Sequence, residues 1–303
     1  VLGKLCCEVF SRTQCHANWC PVNRIVKGIE RVEYDVELKP RDGRKISAIM
    51  TAAPFFSPNG ELIGIVETLK DITQRKRNEQ ALNKEFMLAA KIQRGFLPQD
   101  LSNEFVQTQA IYKPLGHASG DLYDYIWNED KKVLFGCLVD VMGHGMATAL
   151  QTAALRVLFR QAAEQELSLS AKMNWINQTA TPYFAEDSFA AAICFEFDFV
   201  RKTLTYASGG IHTFLRITAD CQELIRLPGA FIGMLKNAQY EQYTLPIKAG
   251  DSFIFMTDGL YELLPHQGNL LLTDCDNACY MLKELAQSKQ RTDDATAVIL
   301  QIQ

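Results

Sequence analysis

The stretch VLFGCLVDVMGHGMATAL, residues 133–150, combines an apolar run, a carboxylate and a glycine-punctuated turn. Residues 133–139 are mostly apolar and predict a buried strand that ends at Asp140. Gly143 and Gly145 let the backbone turn sharply before a helical pattern begins. The helix continues at helical spacing through Leu150, Ala154, Val157, Leu158 and Gln161. The stretch therefore predicts a strand, an acidic loop and a helix, with a carboxylate at the rim of a core.

The same arrangement recurs twice downstream. Residues 253–256 form an apolar strand pattern that closes on a Thr-Asp-Gly triplet, and two aspartates precede another apolar strand at residues 295–302. A fourth acidic site, at residues 119–124, lies before the first strand and places two carboxylates beside a permissive glycine. The carboxylates of these sites are Asp121, Asp124, Asp140, Asp258, Asp293 and Asp294. A single Asp-Gly pair is common turn chemistry, but we expect four such sites in order to surround a cation.

Length and composition predict an ordinary globular protein with two domains. The chain has 303 residues, 48% of them hydrophobic and 22% charged, which is enough for one large core and a smaller one. The net charge of −4 gives no electrostatic reason to expect a nucleic-acid partner. No apolar run reaches the length of a membrane span, and no signal peptide is visible. Because the sequence begins at Val1 within a pattern, we expect a fragment of a longer protein.

The nine cysteines are an odd and scattered set, which predicts reduced thiols and not a disulfide framework. Cys137 and Cys194 lie in apolar strand patterns, and this favours a reducing, cytoplasmic location. One N-terminal cluster gathers five potential ligands: Cys6, Cys7, Cys15, His16 and Cys20. Its spacing does not match a paired C-x-x-C site, so we favour ordinary thiols there over a metal or redox centre.

Residues 1–72 predict a small α/β unit. Three strand patterns, separated by turn residues, predict an antiparallel meander at residues 34–38, 46–52 and 62–69. The R-D-G turn, the strand N-G-E-L-I-G-I-V-E-T and the segment K-D-I-T-Q-R-K at residues 70–76 resemble the C-terminal half of a PAS sensor domain. A whole PAS domain is longer, so the resemblance implies that its first strands precede Val1 or are absent.

Residues 73–98 predict a connecting helix with a narrow apolar seam, and Pro98 ends it. The residues of this seam alternate four and three apart: Leu82, Phe86, Ala89, Gln93 and Phe96. The spacing favours a short parallel coiled coil in a homodimer, although packing against the same chain explains it nearly as well. In a dimer, weak pairing at Gln93 would suit a switch between two arrangements.

Residues 99–303 predict a large domain of antiparallel strands and long helices. Helical periodicity marks residues 147–163, 169–184 and 277–286. Strand patterns at residues 188–198 and 202–208 flank a short connection and predict a hairpin, and residues 214–215 and 224–227 offer further pairing. The expected fold class is therefore α+β, with antiparallel sheet flanked by helices.

The candidate site contains only oxygen ligands, because no His or Cys is placed to complete a tetrahedral zinc site. Hard divalent cations such as Mg²⁺ and Mn²⁺ prefer carboxylate, carbonyl and water oxygens. Acids that converge without a cation would repel one another. The residues therefore predict a magnesium or manganese centre.

The order of the four acidic boxes resembles that of the PPM metal-dependent serine/threonine phosphatases of the SpoIIE/RsbU branch. S-G-D-L-Y-D at residues 119–124 resembles the family's G-G-D-x-Y-D box, and D-V-M-G-H-G at residues 140–145 resembles D-V-S-G-H-G. T-D-G-L at residues 257–260 and D-D-A-T at residues 293–296 resemble the T-D-G and D-D-x-T boxes. A-A-K-I-Q-R-G-F-L-P at residues 89–98 is similar to the start of that branch's domain, A-x-x-I-Q-x-x-L-L-P. The two departures, Ser for Gly in the first box and Met for Ser in the second, remove no carboxylate.

The resemblance implies the PPM phosphatase fold, an antiparallel β-sandwich flanked by helices, with two Mn²⁺ or Mg²⁺ ions between its sheets. It implies that Asp140 bridges the two ions and that Val141 lends its backbone carbonyl. It further implies that Asp258 and Asp293 bind one of the ions.

The remaining site residues follow from the same resemblance. Asp121 is expected to bind a cation directly or to support a residue that does, and Asp124 and Asp294 are further candidate ligands. His144 is a candidate proton donor to the leaving seryl oxygen, or else a structural residue of the glycine turn.

By this resemblance we expect a phosphoprotein phosphatase, controlled by the PAS-like unit, that acts on phosphoserine or phosphothreonine of a small anti-anti-sigma (STAS) regulator. The alternative is a catalytically degenerate scaffold that binds a partner or a signal, and the retention of all four acidic boxes argues against it. A nucleotidyl cyclase would also use paired carboxylates and metals, but it would need a nucleotide-binding loop, and none is visible.

Overall fold

A computed structural model describes residues 2–4, 20–38, 44–143, 145–185, 187–264 and 274–303. Of the N-terminal cysteine cluster, only Cys20 lies within these residues. The chain divides into two compact units, residues 1–85 and 86–303. The six cysteines of the described part are all free thiols, as their scattered positions predicted.

The N-terminal unit contains a short helix and the three-stranded meander that the sequence predicted. Its elements are α1 (Pro21–Val26), β1 (Val32–Leu38), β2 (Ile46–Phe56) and β3 (Leu62–Asp71). The strands are antiparallel in the order β1-β2-β3. Ile25 of α1 packs on Val32 and Ala52 in a small core.

Helix α2 (Thr73–Gly95) follows directly and carries the boundary between the two units. The sequence predicted this helix to within a residue or two of its ends. Thr73 receives a hydrogen bond from the Ser47 amide on its Oγ1, which ties the start of the helix to β2. Leu82 is exposed, whereas Ala90 and Gln93 near the other end are buried.

The C-terminal unit is a sandwich of two five-stranded antiparallel sheets. The first sheet has the order β10-β9-β12-β13-β4, and the second has the order β11-β8-β7-β6-β5. The strands are β4 (Val106–Lys113), β5 (Asp121–Asn128), β6 (Val133–Val141), β7 (Ala190–Asp198), β8 (Thr203–Gly209), β9 (Thr213–Ile217), β10 (Gln222–Arg226), β11 (Tyr243–Pro246), β12 (Ser252–Met256) and β13 (Ala295–Ile302). The predicted hairpin is β7-β8, and the predicted further pairing is β9-β10.

Aromatic side chains fill the space between the sheets. Phe195 of β7 stacks on Phe255 of β12 with ring centroids 4.2 Å apart, and Phe214 of β9 lies 4.9 Å from Phe255. Gly136 of β6 leaves room for the Phe195 ring, since a Cβ there would lie 2.2 Å from it. This core holds the two sheets in fixed register, so the same ends of both sheets meet.

Helices cover the outer face of each sheet. The helices are α3 (Met146–Glu164), α4 (Leu169–Ala180), α5 (Asp258–Tyr261) and α6 (Cys275–Ala286), with a 3₁₀ turn at Thr181–Tyr183. α3 and α4 pack on the second sheet, and α6 packs on the first. The predicted sandwich flanked by helices is therefore confirmed. No helix of the described residues is long and apolar enough to cross a membrane.

The buried face of α3 differs from the predicted one. Leu150 and Val157 are exposed, 67% and 53% respectively. Leu158 is buried as its spacing suggested, and the other buried residues of the helix are Thr148, Ala149, Thr152, Leu155, Phe159 and Ala162. The residues that face the sheet thus include two threonines, which the apolar pattern did not mark.

Candidate metal centre

Two of the predicted carboxylates come from the second sheet. Asp121 and Asp140 are directly opposed on β5 and β6, and opposed residues of antiparallel strands share a face. That face looks between the sheets, because Tyr123 and Leu138 of the same strands belong to the inter-sheet core. The sequence predicted that this strand ends at Asp140. In the structure β6 continues for one more residue, through Val141.

Two more carboxylates come from the first sheet, at the same end of the sandwich. Asp258 is the first residue of α5, directly after β12. Asp293 lies two residues before β13, which pairs with β12. Both residues are exposed, so solvent reaches the group from this side.

Asp121 is buried, and only one of its two carboxylate oxygens has a hydrogen-bond partner. Its Oδ2 accepts a hydrogen bond of 3.0 Å from the Thr257 hydroxyl, which joins the two sheets. Its Oδ1 has no hydrogen-bond partner, and neither does the hydroxyl oxygen of the nearby Thr296. Burial raises the pKa of Asp121, and the charges of Asp294 and Asp258 add to the rise, while the two threonine hydroxyls oppose it. A buried carboxylate oxygen without a donor is the arrangement that a cation would satisfy.

Asp140 lies close enough to the other acids to perturb its ionisation. Burial raises its pKa, the charges of Asp121 and Asp258 raise it further, and a close side-chain interaction with Asp258 adds to the rise. Asp293 adds to the same effect. Asp121, Asp258 and Asp293 thus all act on the ionisation of Asp140, and the metal-binding role that the sequence predicted for these four residues stays a prediction.

Two glycines of the acidic boxes are required by close backbone approach. A Cβ on Gly120 would lie 2.7 Å from the Val141 carbonyl oxygen and 3.1 Å from that of Gly143. A Cβ on Gly259 would lie 2.0 Å from the Asp294 carbonyl oxygen. These contacts hold the box segments together, and they place the Val141 carbonyl, a predicted ligand, beside the turn that leads into Asp121.

Asp124 does not join this group. It is three residues from Asp121 on the same strand, so its side chain points to the opposite face of the sheet. There it is 3% exposed and accepts hydrogen bonds from Arg160 at 2.5 and 2.9 Å, with Arg156 at 3.0 Å. The structure thus gives Asp124 two arginine partners in place of the cation expected from the sequence.

Asp294 accepts hydrogen bonds from two backbone amides of a neighbouring loop. Its Oδ1 accepts from the Leu115 amide and its Oδ2 from the Gly120 amide, both at 2.6 Å. The carboxylate therefore fixes the loop of residues 115–120 against β13. Each carboxylate oxygen of Asp294 thus accepts a hydrogen bond from a backbone amide.

Gln93 is a site-supporting residue that the sequence placed elsewhere. Its side-chain amide donates to the Ser119 carbonyl at 2.7 Å and to the Thr152 hydroxyl at 3.0 Å, and its Oε1 accepts from the Ser119 amide. The sequence assigned Gln93 to a dimer seam, but in the structure it binds its own chain two residues before Asp121. The sequence signal that could have indicated this role was the position of Gln93 in the A-x-x-I-Q segment.

The chemistry of the donor set fits a divalent cation. In the described part of the chain, no three His, Cys, Asp or Glu side chains stand in a ligand arrangement. The Asp121 Oδ1 without a hydrogen-bond partner and the raised pKa values of Asp121 and Asp140 are features that a bound cation would relieve. The chemistry of the donors, all oxygen, suits Mg²⁺ or Mn²⁺. His144 lies outside the described residues.

Comparisons with known proteins identify relatives of this chain. The family described as Stage II sporulation protein E (SpoIIE) matches residues 130–303. The phosphoserine phosphatase RsbP of Bacillus subtilis (strain 168) is 26% identical over 235 residues, which cover 72% of this chain and 58% of RsbP. This chain therefore spans less than two thirds of that relative.

Solved structures share the fold. The SiaA-PP2C domain of Pseudomonas aeruginosa matches with a TM-score of 0.62 at 20% identity, over 75% of this chain and 99% of that domain. RsbX, solved in complex with magnesium, matches with a TM-score of 0.53 at 22% identity, over 68% of this chain and 99% of RsbX.

Proposed function

Because this chain belongs to the Stage II sporulation protein E (SpoIIE) family, we propose that it is a metal-dependent protein phosphatase that hydrolyses phosphoserine or phosphothreonine on a regulatory protein. The observation that carries the proposal is the effect of Asp121, Asp258 and Asp293 on the ionisation of Asp140, together with the buried Asp121 Oδ1 that has no hydrogen-bond partner. The phosphoserine phosphatase RsbP and the magnesium complex of RsbX support the reaction and the cofactor.

The residues take separate parts in this proposal. Asp140, Asp258, Asp293 and the Val141 carbonyl would hold two Mn²⁺ or Mg²⁺ ions, and Asp258 and Asp293 are the solvent-exposed members of this set. Thr257 holds Asp121 in place from the opposite sheet. Divalent cations at such a site lower the pKa of bound water and neutralise charge on phosphoryl oxygens.

Substrate and control are also part of the proposal. The partner is a phosphorylated STAS-type regulator, and the N-terminal unit acts as a PAS-type sensor whose α2 helix contributes to a homodimer. A cytoplasmic location accords with the free thiols of the described residues.

The experiment is phosphate release from a phosphoserine protein with Mn²⁺, with Mg²⁺ and with a chelator. Asp140→Asn and Asp258→Asn are expected to lower the rate by at least about a hundredfold while the protein stays folded, because each removes charge that holds the cations. Asp130→Asn, at an exposed position, is the matched control and should keep the wild-type rate.

Full turnover by either folded variant at saturating metal would contradict the assignment. Binding of Mn²⁺ or of a phosphoprotein by the wild type without any turnover would instead favour the degenerate scaffold.

A further inference from the structure

A strip of small and apolar residues leads away from the carboxylates along the inner face of the second sheet. Ala191 of β7 is directly opposed to Asp140 and therefore lies on the same face. The backbone beyond β8 continues the strip, because Gly210 forms a parallel bridge with Ala192. The strip thus begins at a residue of the acidic group and crosses two strands.

Phe231 stands at the far end of this strip. A Cβ on Gly210 would lie 2.4 Å from the Phe231 ring and 3.1 Å from the Ala191 Cα, so the ring rests on the glycine backbone. Gly210 has a φ of +114°, a conformation that favours glycine. Ile232, the residue after Phe231, forms a bridge with Ala190 and belongs to the outer core. Because neighbouring residues of an extended segment point to opposite faces, Phe231 points to the inner face.

Aromatic and apolar side chains surround Phe231. The Phe189 ring lies 4.7 Å away and the His212 ring 6.0 Å away. The Phe189 carbonyl accepts from the Met142 amide at 3.0 Å, so this wall reaches the segment that follows Asp140. Met142 and His212 are exposed, and Phe189 and Phe231 are half-buried. None of these side chains carries a fixed charge.

The opposite side of the acidic group is closed. Asp294 binds the loop of residues 115–120 to β13, and Ser119 and Gly120 of that loop are buried. A substrate that reaches Asp140 would therefore extend toward the exposed side chains of Met142 and His212 beside Phe231, and not across β5.

The distances match a peptide chain. Neighbouring strands are about 4.8 Å apart, so Phe231 lies roughly 10 Å from Asp140 across two strand spacings. An extended peptide advances about 3.3 Å per residue. A side chain two or three residues from the phosphorylated residue would therefore reach Phe231.

We propose that Phe231, with Phe189, His212 and Met142, forms a docking subsite for an apolar side chain two or three residues from the phosphoserine of a protein substrate. The inference rests on the proposed phosphatase function and adds a substrate preference to it. The apolar, uncharged wall selects leucine-like side chains over charged ones, because burial of such a side chain is favourable and burial of an unpaired charge is not.

The experiment uses fluorescently labelled phosphoserine peptides in an alanine background, with one leucine placed in turn at each position from −3 to +3. Binding is measured by fluorescence anisotropy, and phosphate release is measured with Mn²⁺. The wild type should prefer one leucine peptide over the all-alanine peptide by about tenfold in kcat/KM and in affinity. Phe231→Ala should reduce that ratio to about twofold or less.

Two further variants keep the test independent of folding. Met142→Ala truncates a side chain that is already 44% exposed, so it should fold normally and lower the ratio about threefold. Tyr280→Ala removes an aromatic ring that is 68% exposed on α6, and it should keep the full preference.

The outcomes separate the two proposals. Equal phosphate release from all peptides by the wild type, or an unchanged preference in both Phe231→Ala and Met142→Ala, would overturn the subsite and leave the phosphatase intact. A leucine preference in binding without phosphate release would support the subsite and overturn the phosphatase. Absence of both binding and release would overturn both.

Discussion

At the scale of single residues, the site depends on how one buried carboxylate is held. Asp121 is 1% exposed and has one hydrogen-bond donor to its side chain, the Thr257 hydroxyl. Thr257 in turn accepts from the Thr296 amide, so its position is fixed from two strands. The hydroxyl keeps Oδ2 engaged, and Oδ1 has no hydrogen-bond partner.

We expect Thr257→Val to weaken Mn²⁺ binding by about tenfold, because a hydrogen bond to a charged group contributes about 1.5–3 kcal/mol and valine has the same shape without the donor. Isothermal titration calorimetry with Mn²⁺ measures this affinity, and the thermal midpoint of the metal-free protein reports folding. Thr257→Ser keeps the hydroxyl and should bind Mn²⁺ nearly as tightly as the wild type. Equal affinity in Thr257→Val and wild type would show that the hydroxyl does not position Asp121.

The raised pKa values of Asp121 and Asp140 predict the pH dependence of the metal-free protein. The folded acids retain protons that unfolded carboxyl groups, with a pKa of about 4, have lost at neutral pH. The folded state then binds more protons than the unfolded state, so the free energy of unfolding falls as pH rises, by up to about 1.4 kcal/mol per unit for each proton.

We therefore expect the thermal midpoint in chelator to be higher at pH 6 than at pH 8, with a smaller difference in Asp140→Asn. Saturating Mn²⁺ replaces the protons and should raise the midpoint more at pH 8 than at pH 6. A metal-free protein that is more stable at pH 8 would contradict the account of these carboxylates.

At the scale of elements, β5 shows why the site was only partly predictable. The segment S-G-D-L-Y-D marked two carboxylates, but as a strand it sends Asp121 and Asp124 to opposite faces, and only alternation reveals this. The apolar runs at β12 and β13 were recognised because their side chains are buried on both faces. β4 and β5 mix polar and aromatic residues, and no turn signal set them apart as strands.

Helix α2 shows a second limit of the sequence pattern. The seam spacing did not distinguish a partner chain from the same chain. In the structure, the end of the seam packs on its own unit, with Gln93 bound to Ser119 and Thr152 and the Phe96 ring 5.4 Å from the Arg156 guanidinium. Leu82 at the other end remains exposed.

Gln93→Ala should destabilise the C-terminal unit by about 2–3 kcal/mol, because it leaves the buried Ser119 amide and carbonyl without partners. Urea unfolding followed by tryptophan fluorescence measures the loss. The control Lys91→Ala changes an exposed residue of the same helix and should stay within about 0.5 kcal/mol of the wild type. An unchanged midpoint in Gln93→Ala would mean that water replaces these hydrogen bonds.

At the scale of the whole molecule, the sandwich brings four sequence-distant boxes to one end. The sequence predicted the architecture and marked the four boxes that this end of the sandwich gathers, because motif order and apolar runs carry that information. It did not predict the partners of Asp124, Asp294 and Gln93, because these depend on which faces of a strand or helix meet in three dimensions. The apolar strip from Ala191 to Phe231 likewise exists only after β6, β7 and β8 are paired.

The proposed homodimer belongs to this scale as well. If the exposed part of α2 pairs with a second copy, Leu82→Glu should halve the mass in solution, because it places a charge in an apolar contact. Light scattering coupled to size-exclusion chromatography measures the mass, and Lys84→Glu, an exposed polar position on the same helix, is the control. A wild-type protein that is monomeric at all concentrations would remove the dimer from the proposal.

The central claim is that Asp121, Asp140, Asp258 and Asp293 form a divalent-cation centre. Anomalous scattering at the manganese edge, from crystals of active protein grown with Mn²⁺, tests it most directly. The account predicts two anomalous peaks at the end of the sandwich, with Asp140 between them, and their loss in Asp140→Asn. Peaks elsewhere only, or no peak beside these four residues in a protein that hydrolyses phosphoserine, would contradict it.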